Sequence, residues 1–409
     1  MAVLNHSHAN GNGTKHHGFF ALLALAISAF AIGTTEFISV GLLPSISEDM
    51  HVSVTTAGLT VSLYALGVAF GAPILTSLTS AMSRKTLLMW IMIVFVIGNS
   101  IAATATSFEI LLLARVICSF SHGVFMSIGS TIAADLVPED RRASAIAFMF
   151  TGLTVAMVTG VPFGTFIGQT FGWRYSFAGI AAIGLLALVA NTILVPARLR
   201  QGAPTTFADQ WKLITNGRLL LVFIITALGY GGTFVVFTYL SVILQEITGF
   251  QAGTVSIILL VYGGAIAIGN IIGGKASNRN PIRSLFYMFI IQAIVLLLLL
   301  LFTAPYMGVG LVTIILMGLF AFMNVPGLQL YVVQLAEKYV PSAVDVASAI
   351  NIAAFNAGIA IGSYLGGIVT DSLGLLHTSW VGALMVAGAV VLSRWSMVLE
   401  RSSRVDSIA

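Results

Sequence analysis

The feature that most constrains this chain is the recurrence of apolar segments of about 20 residues, the length needed to cross a bilayer as a helix. Twelve occur, at roughly 19–43, 54–80, 86–105, 109–136, 143–169, 175–196, 218–244, 252–275, 284–303, 307–335, 345–371 and 377–398. Charged residues make up only 8% of the chain, against roughly 25% in a soluble domain. The expected fold class is therefore an all-α polytopic membrane protein. Ala29-Phe30-Ala31 resembles a signal-peptide cleavage site, but the first apolar run continues past the usual hydrophobic region and many spans follow, so it reads as a retained helix.

The basic residues orient the spans. With an even number of spans, both termini lie on one side of the membrane. The tails and the loops on that side hold Lys15, Arg84, Lys85, Arg141, Arg142, Arg198, Arg200, Lys212, Arg218, Lys275, Arg279, Arg283, Lys338, Arg394, Arg401 and Arg404, while the other side holds Arg174. Cytoplasmic loops carry the excess of Lys and Arg, so both termini are expected in the cytoplasm. The net charge of +4 reads as topology and not as a nucleic-acid surface. The expected layout is a disordered tail (1–17), a six-helix bundle (18–196), a polar cytoplasmic linker (197–217), a second six-helix bundle (218–398) and a short tail (399–409).

The two bundles read as copies. Val137-Pro138 is followed by Ala143-Ser144-Ala145-Ile146, and Val340-Pro341 by Ala347-Ser348-Ala349-Ile350. Glycines four apart follow in each: Gly160, Gly164 and Gly168, then Gly358, Gly362 and Gly366. Two pseudo-symmetric six-helix bundles imply a transporter whose site lies at their interface, near the bilayer midplane.

Glu36, in Gly33-Thr34-Thr35-Glu36-Phe37, is an acid inside the first span. Such a residue is costly in hydrocarbon and marks function by default. In an apolar cavity it would load and release a proton; paired tightly with a cation it would be an anchor. Its natural cation is Arg115, within span four, which can fork onto a carboxylate or an anionic substrate group. His122 follows Arg115 by seven residues, two turns on the same face, with Ser119 between them. His122 is a candidate to titrate or to donate to substrate, or simply a histidine bonded to a neighbouring helix. Ser119, Tyr239 and Asn324 are candidate cavity residues; Asn99, Gln329, Asn351 and Asn356 are further polar residues within spans. Gly152, Gly160, Gly164 and Gly168 share one face of span five and allow close helix approach, and Pro162 favours a kink there. Arg84 and Lys85, with Arg141 and Arg142, are candidates for a cytoplasmic gate or are simply topology signals.

Other chemistry finds little support. No phosphate-binding loop of the full form GxxxxGK followed by Ser or Thr is present, and neither His-Glu-x-x-His nor Gly-x-Ser-x-Gly occurs, so neither ATP-driven transport nor an enzyme is expected. Cys118 is the single cysteine, which rules out an intrachain disulfide. His6, His8, His16 and His17 fall in a Gly/Asn/Ser-rich tail and read as disorder before metal binding. No metal or cofactor is expected.

The sequence resembles the major facilitator superfamily, in particular its twelve-span drug:proton antiporter group, and most of all the arabinose-efflux-like, sugar-efflux and chloramphenicol-resistance permeases. The resemblance covers roughly residues 18–398 and is weaker in the second half. It is carried by Gly33-Thr34-Thr35-Glu36-Phe37 with Leu43-Pro44, by Leu113-Ala114-Arg115 and Ser121-His122-Gly123, and by Gly160-Val161-Pro162-Phe163-Gly164 followed by Gly172-Trp173-Arg174. It implies the major facilitator fold, a proton-coupling role for Arg115, and an antiporter motif at Gly160, Pro162 and Gly164. The loop after span two departs from the family pattern: Ser80-Ala81-Met82-Ser83-Arg84-Lys85 lacks the aspartate of the usual charge relay, so only Arg84 and Lys85 carry over.

The reading is a proton-coupled exporter of small amphipathic molecules such as drugs, working by alternating access in the bacterial inner membrane. Its partners are protons, a small-molecule substrate and the lipid bilayer, and it is expected to act as a monomer. Efflux of a sugar or purine nucleoside is the alternative, and a membrane sensor or scaffold that transports nothing is the reading from another class.

Overall fold

The computed structural model describes residues 11–79, 82–138, 142–197, 199, 207–302, 306–341 and 344–405. Among them are twelve helices long and apolar enough to cross a membrane: α1 (Gly18–Asp49), α2 (Val54–Ala72), α3 (Arg84–Ala103), α4 (Phe108–Ser130), α5 (Ala145–Phe171), α6 (Trp173–Leu194), α7 (Gly217–Ile247), α8 (Ala252–Ser277), α9 (Pro281–Leu299), α10 (Met307–Tyr339), α11 (Val346–Ser372) and α12 (Leu375–Glu400). Hydrocarbon offers backbone N–H and C=O groups no partner, so apolar segments of this length bond internally as helices. The fold class is the one expected. Two details differ. Helix starts at Gly11, within the segment expected to be a disordered tail; His6 and His8 lie outside the described residues. The segment expected as a polar linker contains a short helix, Phe207–Thr215, with Leu213 buried and Trp211 exposed.

Three spans are interrupted. In α5 a π-turn, Ala156–Gly160, directly precedes Val161-Pro162. Pro162 brings no N–H, and the wider turn absorbs the misfit with the preceding carbonyls. α7 breaks after Phe237 and ends in a second π-turn, Ile243–Ile247. α10 divides into Met307–Ala321 and Val325–Tyr339, with Pro326 in the first turn of the second piece.

Small residues set the helix pairs. A methyl added to Gly152, Gly160, Gly164 or Gly168 of α5 would run into Ala26, Thr34, Ile38 or Leu42 of α1 respectively. The glycine stripe therefore lies along α1 from Ala26 to Leu42. The second half repeats the relation: Gly358, Gly362 and Gly366 of α11 abut the carbonyls of Ala227, Gly231 and Val235 of α7. In membranes, where apolar burial between helices brings little, such close backbone approach is what holds helices together.

The halves meet where α2 packs on α11 and α5 on α8. Among the described residues, the hydrogen bonds that cross between them sit at the end opposite the chain termini. There Thr55 donates to the Asp371 carboxylate at 2.5 Å, Ser256 to Gln169 Oε1 at 3.2 Å, and Ser241 to the Val40 carbonyl. This end of the molecule is closed. It is also braced within the first half: Arg174 pairs with Asp49 at 2.7 Å and donates to the Ala105 carbonyl at 3.0 Å, and Trp173 Nε1 donates to Asp49.

At the termini end, Arg84 and Lys85 bind within the first half. Arg84 pairs with Asp135 at the end of the fourth helix. Lys85 donates to the Thr192 and Val195 carbonyls, at 2.9 and 2.6 Å, at the end of α6. Asp135 thus supplies a carboxylate that the loop itself lacks. Arg141 lies outside the described residues, as does the side chain of Arg142, whose backbone opens the fifth helix.

Gly358 gives the test of this packing. A Gly358→Leu substitution drives its side chain into the Ala227 backbone and is expected to lower stability by about 1–3 kcal/mol, whereas Gly264→Leu, where an added methyl meets nothing, leaves the thermal unfolding midpoint in detergent near that of the unsubstituted protein. Equal midpoints for the two variants would show that the stripe does not set the α7–α11 contact.

Candidate functional site

Glu36 lies in the middle of α1, 8% exposed, on the side of the first half that faces the second. The neighbouring Phe37 makes this plain, since its ring lies 6.1 Å from Phe234 and 6.4 Å from Phe237 of α7, and 6.3 Å from Phe322 at the α10 break. Tyr64 of α2 and Tyr230 of α7 are both within electrostatic range of the Glu36 carboxyl. Behind it, Gly160 and Gly164 bring α5 against Thr34 and Ile38, so the Gly-x-Pro-x-Gly stretch backs the acid on its protein side.

Arg115 is fully buried but does not form the expected ion pair with Glu36. Its Nη1 donates to the Thr35 carbonyl at 2.6 Å, its Nη2 to the Glu36 carbonyl at 3.2 Å and its Nε to the Thr60 carbonyl at 3.1 Å. The guanidinium also lies over the Tyr64 ring, 4.2 Å from its centroid. The physical reason is that the second lone pairs of helix carbonyls on α1 and α2 converge on the fork, and a π face stabilises the cation from the side. One level of the bundle is completed by Thr35, which donates to Asn99 Oδ1 at 3.0 Å, while Asn99 Nδ2 donates to the Phe95 carbonyl. Arg115 and Asn99 thus tie α1 to α2, α3 and α4. The Glu36 carboxyl accepts no hydrogen bond from a described residue.

His122 lies near this layer, its Nδ1 3.3 Å from the Tyr64 hydroxyl. Tyr64 touches both Arg115 and His122, and its place in the sequence gave no sign of that. Ser119 is used otherwise than expected. It is buried in the α2–α4 seam against Gly67 and donates to the Val116 carbonyl at 2.7 Å, so its hydroxyl is bonded to its own helix. The reason is steric: glycine on α2 draws α4 close enough to close the space.

Tyr239 and Asn324 both stand at helix interruptions. Tyr239 follows the α7 break, packs against Gly58, Gly366 and Gly367, and donates to the Ser363 carbonyl at 3.3 Å, within the closed end. Asn324 donates to Gln292 Oε1 at 3.0 Å, and Gln292 Nε2 donates to the Gly229 carbonyl at 3.1 Å and to Thr233. The Asn324 Oδ1 is buried and has no hydrogen-bond partner among the described residues. A second polar chain runs from Thr226 through Asn351 to Gln329 at 2.8 Å per step.

Between these polar groups and Glu36 lies an aromatic cluster. Tyr230 is surrounded by Phe355, Phe234 and Phe322 at 4.9, 5.1 and 5.2 Å between centroids. Phe237 stacks on Tyr262 at 5.4 Å. Beside them Phe37, Met157 and Tyr262 help line a void of about 10 Å³, room for about one water, next to a Tyr262 hydroxyl with no protein partner. The only trace of the cluster in the sequence is the abundance of Phe, 26 residues; the spacing along the chain does not single out these rings.

A family profile described as Major Facilitator Superfamily matches residues 25–344. The chain is 73% identical over 387 residues to the uncharacterized MFS-type transporter YtbD of Bacillus subtilis (strain 168), covering 95% of this chain and 98% of that one. It is 36% identical over 374 residues to the inner membrane transport protein YdhP of Escherichia coli (strain K12), covering 91% and 95%. Among solved structures, a bacterial homolog to the human lysosomal transporter Spinster, in an inward-facing and unoccupied conformation, superposes with a TM-score of 0.68 at 17% identity, covering 93% of this chain and 96% of that one; this likeness concerns the fold.

Removing the guanidinium leaves three buried carbonyls without their second partner and unties α1 from α2. Arg115→Ala is expected to cost roughly 2–5 kcal/mol of stability, read as a lower unfolding midpoint in detergent. Arg115→Lys, which supplies a point charge without the fork, should recover only part of it; full recovery by lysine would mean that the carbonyl contacts contribute little.

Proposed function

The chain belongs to the major facilitator superfamily and is a multi-pass membrane transporter; on that premise we propose that it exports small amphipathic molecules, drugs among them, across the bacterial inner membrane in exchange for protons. The observation that carries this reading is the Glu36 carboxyl. It is buried between the halves, and the nearby arginine spends its donors on backbone carbonyls, so the acid is free to take a proton or a substrate group. Proton and substrate then compete, or favour opposite transitions, and linkage makes each lower the affinity for the other.

The surroundings suit an amphipathic substrate. Rings from α1, α7, α10 and α11 supply apolar surface, and Asn324, Gln292 and Tyr262 supply a few polar groups. His122, held through Tyr64 to Arg115, is the second candidate for proton traffic. The bonds across the closed end are hydroxyl contacts to a carboxylate, an amide and a carbonyl, each of modest strength, so the end can open without loss of a buried ion pair. With the termini in the cytoplasm, as the Lys and Arg distribution suggests, the closed end faces outward, and Arg84 and Lys85 lie at the opposite end. The first-half bonds of Arg84 and Lys85 then stiffen that half for rigid-body movement. The protein acts as a monomer in this scheme.

One observation favours a second reading, efflux of a neutral hydroxyl-rich molecule such as a sugar or nucleoside. Buried amides with an unpartnered oxygen, as at Asn324, discriminate strongly for ligands that hydrogen-bond to them. Asn324→Leu should impair sugar or nucleoside export far more than drug export if this reading holds.

Glu36→Gln is expected to abolish substrate movement driven by a proton gradient in proteoliposomes while binding to the purified protein persists; undiminished gradient-driven transport would remove Glu36 from the mechanism. Closure is tested by pairing Thr55→Cys with Asp371→Cys. Because Cys118 is buried, an oxidative cross-link should form at the new pair, stop transport, and release it on reduction. Transport that proceeds with the link intact would show that this end need not part.

A further inference from the structure

Tyr64 is buried, and its ring and its hydroxyl are engaged separately. The Arg115 guanidinium lies over the ring, 4.2 Å from the centroid. The hydroxyl lies 3.3 Å from Nδ1 of the buried His122. The phenol and imidazole rings are 5.8 Å apart between centroids and tilted by 42°. The guanidinium itself is committed to the Thr35, Glu36 and Thr60 carbonyls.

Hydrogen-bond bookkeeping decides which atom donates. A phenol has one hydrogen to give, and a neutral imidazole has one nitrogen that gives and one that takes. Among the described residues, His122 Nδ1 is the one hydrogen-bond partner of the Tyr64 hydroxyl. If Nδ1 bears a hydrogen, in the Nδ1–H tautomer or in the imidazolium, the hydroxyl accepts and its own hydrogen is buried without an acceptor, which is costly. If Nδ1 is bare, the hydroxyl donates and both groups are satisfied. Arg115 favours the same choice. A cation on the face of a phenol draws electron density from its oxygen, which makes the O–H a better donor and a poorer acceptor.

We propose that Tyr64 is a positioning residue that holds His122 as the neutral Nε2–H tautomer, so that the free edge of the imidazole offers a hydrogen bond to an acceptor oxygen of the transported molecule. That edge makes no hydrogen bond to a described residue, since the contact to Tyr64 uses Nδ1. The tautomer is a property of the resting protein; only the identity of the acceptor rests on the export reading. Proton exchange then falls to Glu36, and His122 binds.

The test is nitrogen NMR of purified protein carrying 15N-labelled histidine, with the His122 signals identified by their loss in His122→Gln. The pair of ring-nitrogen shifts separates the two neutral tautomers from each other and from the imidazolium. The unsubstituted protein should show Nε2–H. Tyr64→Phe, which keeps a ring beneath Arg115 and removes the hydroxyl, should show Nδ1–H or an exchanging mixture. An Nδ1–H or imidazolium signal in the unsubstituted protein overturns the proposal, and an Nε2–H signal that Tyr64→Phe leaves unchanged overturns the role of Tyr64. Chloramphenicol, arabinose and inosine, which all carry acceptor oxygens, are then added in turn. At least one should move the Nε2 signal and should bind His122→Leu about tenfold more weakly, with His122→Gln, whose amide also offers an N–H, between the two. An Nε2 signal unmoved by all three, or equal affinity in His122→Leu, overturns the donor role. Undiminished gradient-driven transport by Glu36→Gln would end the proton-exchange reading and leave these spectral results standing.

Discussion

The interior of the first half depends on one cation satisfied by backbone. Arg115 brings a permanent charge into a region where ions are expensive, and its cost is met by three helix carbonyls and the face of Tyr64. Charge-assisted hydrogen bonds are roughly twice as strong as neutral ones, and here they join α4 to α1 and α2 at the level of Glu36. The acid is left without a salt bridge. An ion pair would have locked the carboxyl in its charged form as a strut; the arginine's hydrogen bonds go to backbone carbonyls, and the proposed proton exchange at Glu36 rests on that difference.

Around this layer the molecule separates into rigid and separable contacts. Within each half, glycine faces bring backbones together, α5 along α1 and α11 along α7. These contacts are continuous along the helices and leave nothing to swing independently. Among the described residues, the hydrogen bonds between the halves cluster where Thr55 meets Asp371, Ser256 meets Gln169 and Ser241 meets Val40. Interrupted helices occur where the halves meet: the π-turn of α5 borders α8, and the α7 and α10 breaks carry Tyr239, Phe322 and Asn324. Broken backbone is tolerated at membrane depth when protein surrounds it, and here the freed geometry places aromatic and amide side chains toward the acid.

Much of this was legible in the chain. Twelve apolar runs became twelve spans because length and hydrocarbon leave no alternative to helix. The glycine spacing in span five predicted a shared close-packed face, and the structure lays that face on α1. Glu36 was recognisable because a lone acid in an apolar run violates the pattern around it. The partners of Arg115 were not legible, since any carboxylate looks like a better match than a carbonyl when only side chains are compared. The burial of Ser119 was equally hidden, because it depends on Gly67 of another helix.

What the sequence by itself determined is the number of spans, their duplication into two sets of six, the family, and the identity of the intramembrane charges, all of which follow from local hydropathy, spacing and motif. What only the tertiary structure decided is who bonds to whom: that Arg115 serves the backbone, that Tyr64 joins it to His122, that rings from three helices crowd Tyr230, and that the halves are latched at one end. These depend on distances between residues far apart in the chain, which arise from how helices rotate and slide against one another, and no local pattern encodes that rotation.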